Sequence, residues 1–135
     1  MKITEIKLDA NFRSKASGYE DNYEGVVIVK DNGKEFKFGI SVGQNCCENW
    51  GYLHSSDDVD DFIGADFLSW EEVDTWPESI ENPEEEYGFY SGGFQAINVI
   101  TSKGLLQFVV YNAHNGYYSH STIVVNEEVT KVTDV

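Results

Sequence analysis

The sequence predicts a mostly β, antiparallel fold of about seven strands with one short helix. Three observations lead to this prediction. Apolar and polar residues alternate with period two along much of the chain, as in half-buried strands. Glycine-containing turn dipeptides separate several of these stretches. Hydrophobic residues make up 41% and aromatic residues 14% of the 135 residues, which is enough for one hydrophobic core. We therefore expect residues 1–135 to form a single domain.

The N-terminal third contains one predicted strand followed by a predicted hairpin. Apolar and polar residues alternate over residues 3–9, and again over residues 25–30 and 35–41. The dipeptide Asn32-Gly33 lies between the last two stretches. Asn-Gly tolerates the positive φ angles of a two-residue turn, so this dipeptide predicts a tight hairpin.

The predicted register of this hairpin separates apolar from charged side chains. Val29 faces Phe36 on one side of the sheet, and Lys30 faces Glu35 on the other. A shift by one residue would reverse the face of every side chain in one strand, so this consistency favours the register.

The C-terminal third predicts a three-stranded antiparallel meander over residues 94–101, 105–113 and 118–126. Its two turns are Lys103-Gly104 and Asn115-Gly116. Each turn imposes its own register, yet both registers place the same apolar residues on one face. These residues are Ile97, Val99, Leu106, Phe108, Val110, Ile123 and Val125.

The middle of the chain is less regular. Residues 56–63 predict a short helix, because Ser and Asp precede it, acids occupy its first turn and Gly64 follows it. Residues 65–73 suit another strand. Residues 74–93 contain both prolines and five glutamates, which predicts an acidic loop long enough to have a role of its own.

Charge is distributed unevenly along the chain. The sequence has 24 acidic and 9 basic residues, a formal net charge of −15, and residues 38–102 contain fourteen acids but no Lys or Arg. This composition argues against binding nucleic acid or an anionic membrane through basic charge. The acidic stretch is either a solvated surface or a surface that attracts a basic protein, in which Glu84, Glu85 and Glu86 are the candidate contacts.

The cysteines indicate a cellular compartment. Cys46 and Cys47 are adjacent, so a disulfide between them would close no useful loop, and so few cysteines suit a reducing environment. The chain has no stretch of ~18 apolar residues that would span a membrane and no apolar signal-peptide region at its N-terminus. We therefore expect a cytoplasmic protein that does not contact membranes.

Two segments combine uncommon side chains. Residues 46–52 read Cys-Cys-Glu-Asn-Trp-Gly-Tyr, and residues 114–118 read His-Asn-Gly-Tyr-Tyr. With these motifs, residues 36–52, 62–70 and 101–121 resemble a family of short, functionally uncharacterised proteins from Gram-positive bacteria, their phages and prophages. The resemblance implies a phage or prophage protein that acts inside a bacterial cell, and it brings no enzymatic activity with it.

Catalysis and metal binding each require a specific arrangement of the Cys and His side chains in these motifs. A nucleophilic cysteine needs a histidine within hydrogen-bond reach, which Cys46 or Cys47 could find in His114 or His120, although the acidic surroundings disfavour a thiolate. Adjacent cysteines on an extended chain point to opposite faces, and so do the two histidines in the predicted register. We therefore expect no metal and no cofactor, and a Cys/His hydrolase or transferase stays an alternative.

Binding of a partner or a small ligand requires a less specific arrangement of side chains. The aromatic and amide side chains of both motifs supply flat apolar area and hydrogen-bonding groups, which suit a partner-binding surface or a pocket. The same aromatic residues could instead belong to the core. The candidate binding residues are Trp50, Tyr52, Tyr111, Asn112, His114, Asn115, Tyr117, Tyr118 and His120.

The function that we expect is that of a non-enzymatic phage or prophage accessory protein. Its acidic surface would bind a basic protein of the host, such as a defence protein that the binding inhibits. A second alternative to this function is the sequestration of a small ligand in an aromatic pocket. The sequence leaves the identity of the partner and the oligomeric state open.

Overall fold

A computed structural model describes residues 1–14, 21–42, 49–54, 59–73, 75–77, 80, 93–113, 121–126 and 129–134. Nine strands and one 3-10 turn are described. The strands are β1 (Ile3–Ser14), β2 (Asp21–Lys30), β3 (Glu35–Ser41), β4 (Asn49–His54), β5 (Phe67–Val73), β6 (Gly93–Thr101), β7 (Gly104–Ala113), β8 (Ser121–Asn126) and β9 (Val129–Asp134), and the 3-10 turn spans Val59–Phe62.

The strands form two antiparallel sheets. The first sheet has the strand order β1-β2-β3-β8-β9, and the second has the order β4-β7-β6-β5. The mostly β, antiparallel fold class is therefore confirmed, and the described residues form nine strands in two sheets where about seven strands were predicted. The predicted helix near residues 56–63 is a single 3-10 turn within the described residues. Strands β4 and β9 had no counterpart in the sequence prediction.

The main hydrophobic core lies between the two sheets. Phe36 of the first sheet contacts two aromatic residues of β5, with ring centroids 5.3 Å from Phe67 and 6.0 Å from Trp70. The fully buried members come from both sheets: Ile3, Val26, Ile28, Phe36, Phe38, Ile40 and Val124 from the first, and Ile97, Val99, Leu106, Phe108 and Val110 from the second. Burial of these faces is the main contribution to the stability of the sandwich.

The β2–β3 hairpin has a longer loop than the sequence predicted. Ile28 pairs with Phe36 and Val29 with Glu35, so the register is shifted by one residue from the predicted one. Three residues, 31–33, form the loop, in which Gly33 adopts a φ of 80° and donates its N–H to the Lys30 carbonyl at 3.0 Å. This geometry matches a three-residue hairpin loop whose last residue is left-handed. The prediction of a two-residue turn was wrong.

The one-residue shift reverses the faces of β2. Val26 and Ile28 enter the inter-sheet core, and Val29 is only half-buried. Lys30 follows the same alternation inward and is 4% exposed, instead of facing Glu35 on the surface. Residues 26–29 form a continuous apolar run, and such a run does not indicate which side faces the core.

The β6–β7 hairpin is confirmed, with a turn one position earlier than predicted. Thr101 pairs with Gly104, so Ser102 and Lys103 are the turn residues. Val99 consequently pairs with Leu106 instead of Phe108. The register differs from the prediction by two residues, which preserves the face of every side chain.

Strands β7 and β8 do not pair, so the predicted hairpin at Asn115-Gly116 was wrong. Strand β7 lies between β4 and β6 in the second sheet, whereas β8 lies between β3 and β9 in the first. Ile123 pairs with Gly39 and Val132, and Phe108 pairs with Ile97 and His54. The turn dipeptide itself lies outside the described residues.

Candidate functional site

Strand ends of both sheets lie at one end of the sandwich, which we call the loop end. Among them are Ser41, Asn49, Gly93, Ala113 and Ser121. Asn49 pairs with Ala113, and Gly93 pairs with Asn112, so three ends of the second sheet are adjacent. In the first sheet Ile40 pairs with Thr122, next to Ser121. The segments with both motifs and the acidic loop therefore connect to strands at the same end of the molecule.

A chain of polar side chains connects the two sheets near the loop end. The Thr122 hydroxyl donates to Gln95 Oε1, and Gln95 Nε2 donates to Glu72 Oε1 at 3.0 Å. Lys131 Nζ also donates to Glu72 Oε1, at 2.7 Å. Thr122 and Gln95 are buried, so these bonds satisfy groups that would otherwise be costly to remove from water. Sequence reasoning missed this network because its members come from four strands.

The structure brings the two sequence motifs together through their strands. The first motif ends in β4 and the second follows β7, and these strands pair with Trp50 opposite Asn112 and Gly51 opposite Tyr111. Only the backbone positions of Trp50 and Asn112 are described. The sequence offered no signal for this pairing, because about sixty residues separate the two strands.

Tyr52 is a packing residue of the inter-sheet core. Its ring stacks on Phe108 with a centroid distance of 6.4 Å and lies 5.9 Å from the His54 ring. Burial raises the pKa of the Tyr52 hydroxyl well above its usual value, and the carboxylates of Asp9 and Glu24 raise it further. Tyr52 is thus a neutral, partly buried tyrosine that packs against the core, and its role in binding a partner stays a prediction.

Tyr111 packs in a second apolar cluster on the outer face of the second sheet. Its ring lies 6.2 Å from the ring of Trp76, which also contacts Phe94 edge-on at 5.2 Å. Ile80, Ala96 and Val109 are the buried centre of this cluster. Trp76 Nε1 donates to the Ile80 carbonyl at 2.7 Å. The described start of the predicted acidic loop is therefore folded onto the sheet.

The other predicted site residues lie outside the described part of the chain. They are Cys46, Cys47, Glu84, Glu85, Glu86, His114, Asn115, Tyr117, Tyr118 and His120. Their proposed contacts, and the Cys/His pair of the enzymatic alternative, stay predictions. Within the described residues, no three His, Cys, Asp or Glu side chains are grouped so that they could hold a metal ion.

Basic residues are segregated between the two sheets. Strands β4, β5 and β6 come from the base-free part of the sequence, and β7 contains no Lys or Arg within its bounds. The first sheet, in contrast, contains Lys7, Arg13, Lys30, Lys37 and Lys131. The charge gap along the sequence thus becomes a difference in strand bases between the two sheets, and Lys103 lies in the turn between β6 and β7.

Described acids of the second half lie on its surface. Asp60 and Asp61 are exposed in the 3-10 turn, and Glu71 is exposed on β5, where its Oε1 accepts a hydrogen bond from Asn98 Nδ2 at 3.0 Å. Among the described residues, ion pairs join the two halves between Lys131 and Glu72 at 2.7 Å and between Lys2 and Asp66 at 3.6 Å. The arrangement can attract a cationic surface.

Comparisons with known proteins give one match. The model of a family described as a domain of unknown function, DUF7448, matches residues 1–124. No curated protein and no solved structure matches the sequence. Within the described residues, no helix is long and apolar enough to cross a membrane.

Proposed function

The chain belongs to the DUF7448 family, and for this member we propose a non-enzymatic function: it binds a protein with a basic surface. The observation that supports this proposal is the absence of Lys and Arg from the strands of the second sheet. Residues 38–102 contribute fourteen acids and no base, and they build three of the four strands of the second sheet. The fields of these acids add, and the summed field reaches an approaching partner before any contact forms.

The physical effect of this field is on association. Two exposed charges at 4 Å interact by only about 1 kcal/mol in water, so no single pair determines affinity. Many acids on one side act together and orient a basic partner during encounter, which raises the association rate. Screening beyond about 8 Å at physiological ionic strength makes the same effect sensitive to salt.

The partner that we propose is a protein of a bacterial host cell, bound in the cytoplasm. The resemblance to phage and prophage proteins supports this setting, and the acidic half-molecule supports the type of surface. A defence protein that uses a basic surface to bind nucleic acid would be inhibited if this chain occupied that surface. The function is then that of a phage or prophage accessory protein.

The experiment compares three variants with equal changes in charge. One variant carries Asp60→Asn, Asp61→Asn and Glu71→Gln on the second half, and another carries Glu84→Gln, Glu85→Gln and Glu86→Gln. The matched control carries Glu5→Gln, Asp31→Asn and Glu35→Gln, which lie on the first sheet and its β2–β3 loop. Partners are captured from a bacterial host lysate with the unchanged protein, and binding kinetics are then measured at low and high salt.

We expect the two variants within residues 38–102 to slow association by about tenfold at low salt, with little change in dissociation. The control should retain the original association rate. Substituting Trp50 or Tyr117 should instead accelerate dissociation if these side chains are buried anchors. If the association rate does not depend on salt, or if it falls equally in the control, the acidic residues do not attract the partner and form only a solvated surface.

A further inference from the structure

Strand β5 lies at the edge of the second sheet, with β6 as its neighbour on one side. The N-terminal residues cover the start of its other side, which we call the free edge. There Phe67 donates its N–H to the Met1 carbonyl at 2.8 Å, whereas the Asp66 carbonyl accepts from the Ser102 N–H on the side of β6. The described pairing on the free edge reaches Phe67, and residues 68–73 lie beyond it.

The β6–β7 hairpin determines which backbone groups of β6 face β5. Thr101 and Gly104 close its two-residue turn, so their N–H and C=O groups face each other across the hairpin. Because backbone groups alternate in direction along a strand, those of Ile100 and Asn98 point to β5 instead.

The same alternation assigns the backbone groups of β5. Ser69 pairs with Ile100 and Glu71 with Asn98, so Ser69 and Glu71 exchange hydrogen bonds with β6. The N–H and C=O groups of Trp70 and Glu72 consequently point to the free edge, where no described residue hydrogen-bonds to them. The bulge of β5 lies between Phe67 and Ser69, so the pairing of residues 69–73 is regular. Regular, unpaired edges of this kind are templates for a further strand.

A pocket of about 390 Å³ lies beside this edge. Its lining includes residues 67–70, together with Lys30 and Asn126 at the ends of β2 and β8. A strand added to β5 would therefore find room for the side chains that face the first sheet. Phe67 and Trp70 line this space with aromatic rings, which favour apolar side chains.

The charge around the edge favours basic side chains on the outer face of such a strand. Glu71 is exposed there, and it accepts a hydrogen bond from the neutral amide of Asn98. The lysines that border the edge, Lys2 and Lys131, each form an ion pair with an acid of the second half. A second copy of the chain would bring another net charge of −15 to this edge, so like charges disfavour self-pairing.

We propose that the free edge of β5 binds an extended segment of the basic partner by strand addition, antiparallel to β5 as the Lys2–Asp66 bridge is. Apolar side chains opposite Trp70 and Glu72 would enter the pocket, and a basic side chain opposite Glu71 would point outward. This inference rests on the proposed function and adds to it the mode of binding.

The test uses a short synthetic peptide in which lysine and valine alternate. Valines opposite Trp70 and Glu72 would donate their N–H groups to β5, whereas the lysine N–H groups would face solvent. N-methylation of the valines should therefore weaken binding to the full chain by at least about tenfold, and N-methylation of the lysines should not. NMR titration measures both affinities. Equal affinities of the two methylated peptides would overturn strand addition.

Amide hydrogen exchange identifies the edge. Saturating peptide should slow exchange at Trp70 and Glu72 by about tenfold or more, because their N–H groups gain acceptors, and Ser69 and Glu71 should change less. Protection at β1 or β9 in place of β5 would contradict the proposal. A dimer of the unchanged chain that protects Trp70 and Glu72 without peptide would assign the edge to a second copy and overturn the proposal.

Charge changes separate this inference from the proposed function. Glu71→Gln removes the acid opposite a lysine and should weaken binding severalfold. Glu5→Gln makes the same change in net charge on β1 and should leave binding unchanged. Salt-sensitive binding that is equal for both methylated peptides would support attraction of a basic partner but overturn strand addition. A glutamine–valine peptide that binds as tightly as the lysine–valine peptide would support strand addition but contradict a basic segment.

Discussion

The hydroxyl of Tyr52 is buried and has no hydrogen-bond partner among the described residues. An unpartnered buried hydroxyl costs free energy, so Tyr52→Phe should keep the stacking on Phe108 and raise the free energy of unfolding by about 1 kcal/mol at neutral pH. Urea denaturation measures this change. A loss of more than about 1 kcal/mol would show instead that the hydroxyl is hydrogen-bonded.

The raised pKa of Tyr52 also predicts a dependence on alkaline pH. Burial and the charges of Asp9 and Glu24 keep this tyrosine neutral in the folded protein, whereas an unfolded tyrosine ionises near pH ~10. Above that pH the unfolded state binds fewer protons than the folded state, so stability falls as pH rises. The fall should be shallower in Tyr52→Phe than in the unchanged protein, as measured by denaturation at several alkaline pH values.

Gly25 is a residue at which a side chain cannot be accommodated. It pairs with Gly39 across β2 and β3, and a Cβ atom at Gly25 would lie 1.9 Å from the Phe38 carbonyl oxygen. That neighbour is backbone and cannot rotate away, so Gly25→Ala should lower the free energy of unfolding by at least about 2 kcal/mol.

Gly93→Ala is the matched control for this substitution. A Cβ atom at Gly93 would meet nothing within 4 Å, and Gly93 is also a strand residue. We expect a change within about 0.5 kcal/mol in the same denaturation assay. Similar losses for both substitutions would show that the close approach of β2 and β3 does not govern the effect.

At the scale of elements, the segment of residues 75–80, of which 75–77 and 80 are described, packs on the outer face of the second sheet. Trp76 contacts Phe94 and Tyr111 and donates to the Ile80 carbonyl, so one side chain connects the segment to β6 and β7. Trp76→Ala should lower the free energy of unfolding by about 3 kcal/mol, because it removes a large aromatic contact and exposes the cluster.

The exposure of this cluster can be measured directly. Increased binding of a dye that recognises apolar surface should accompany the lost stability in Trp76→Ala. Leu68→Ala is the control, because Leu68 is 60% exposed and its truncation should change stability by less than about 0.5 kcal/mol. Unchanged stability in Trp76→Ala would mean that the segment does not contribute to the fold.

At the scale of the whole molecule, the net charge of −15 opposes compaction. Raising the NaCl concentration from about 0.05 to 0.5 M screens this repulsion and should raise Tm by several degrees. The effect should be smaller in the variant with Asp60→Asn, Asp61→Asn and Glu71→Gln, because these acids belong to the half without strand bases. A Tm that falls with salt would show that ion pairs such as Lys131–Glu72 outweigh the repulsion.

The sequence by itself determined the class of the fold and the inward faces of several strands. Alternation along β3 identified Phe36, Phe38 and Ile40 as core residues, and all three are fully buried. In β6 and β7 the predicted turn was displaced, yet the inward faces were right because an error of two residues in register leaves alternation unchanged. Local patterns are sufficient where each strand has one clearly apolar side.

Local patterns were insufficient where both sides of a strand are apolar or where pairing is remote. The run over residues 26–29 suits either face of β2, so a loop longer by one residue decided which side chains entered the core. The meander prediction assumed that strands adjacent in sequence pair with each other. The structure instead assigns β7 and β8 to different sheets, which allows each to bury an apolar face against the opposite sheet.

Tertiary structure alone decided where the candidate sites lie. The sequence identified the two motifs, and the pairing of β4 with β7 brought their strands together. The sequence also showed that residues 38–102 lack Lys and Arg. This became a difference between the two sheets only when the strands within residues 49–113 folded into one sheet. The pocket lined by Lys30, Trp70 and Asn126 has no local signal in the sequence, because its walls come from the ends of β2 and β8 and from β5. Contacts between such distant segments depend on the sheets packing together, because burial of apolar area across the whole sandwich determines them.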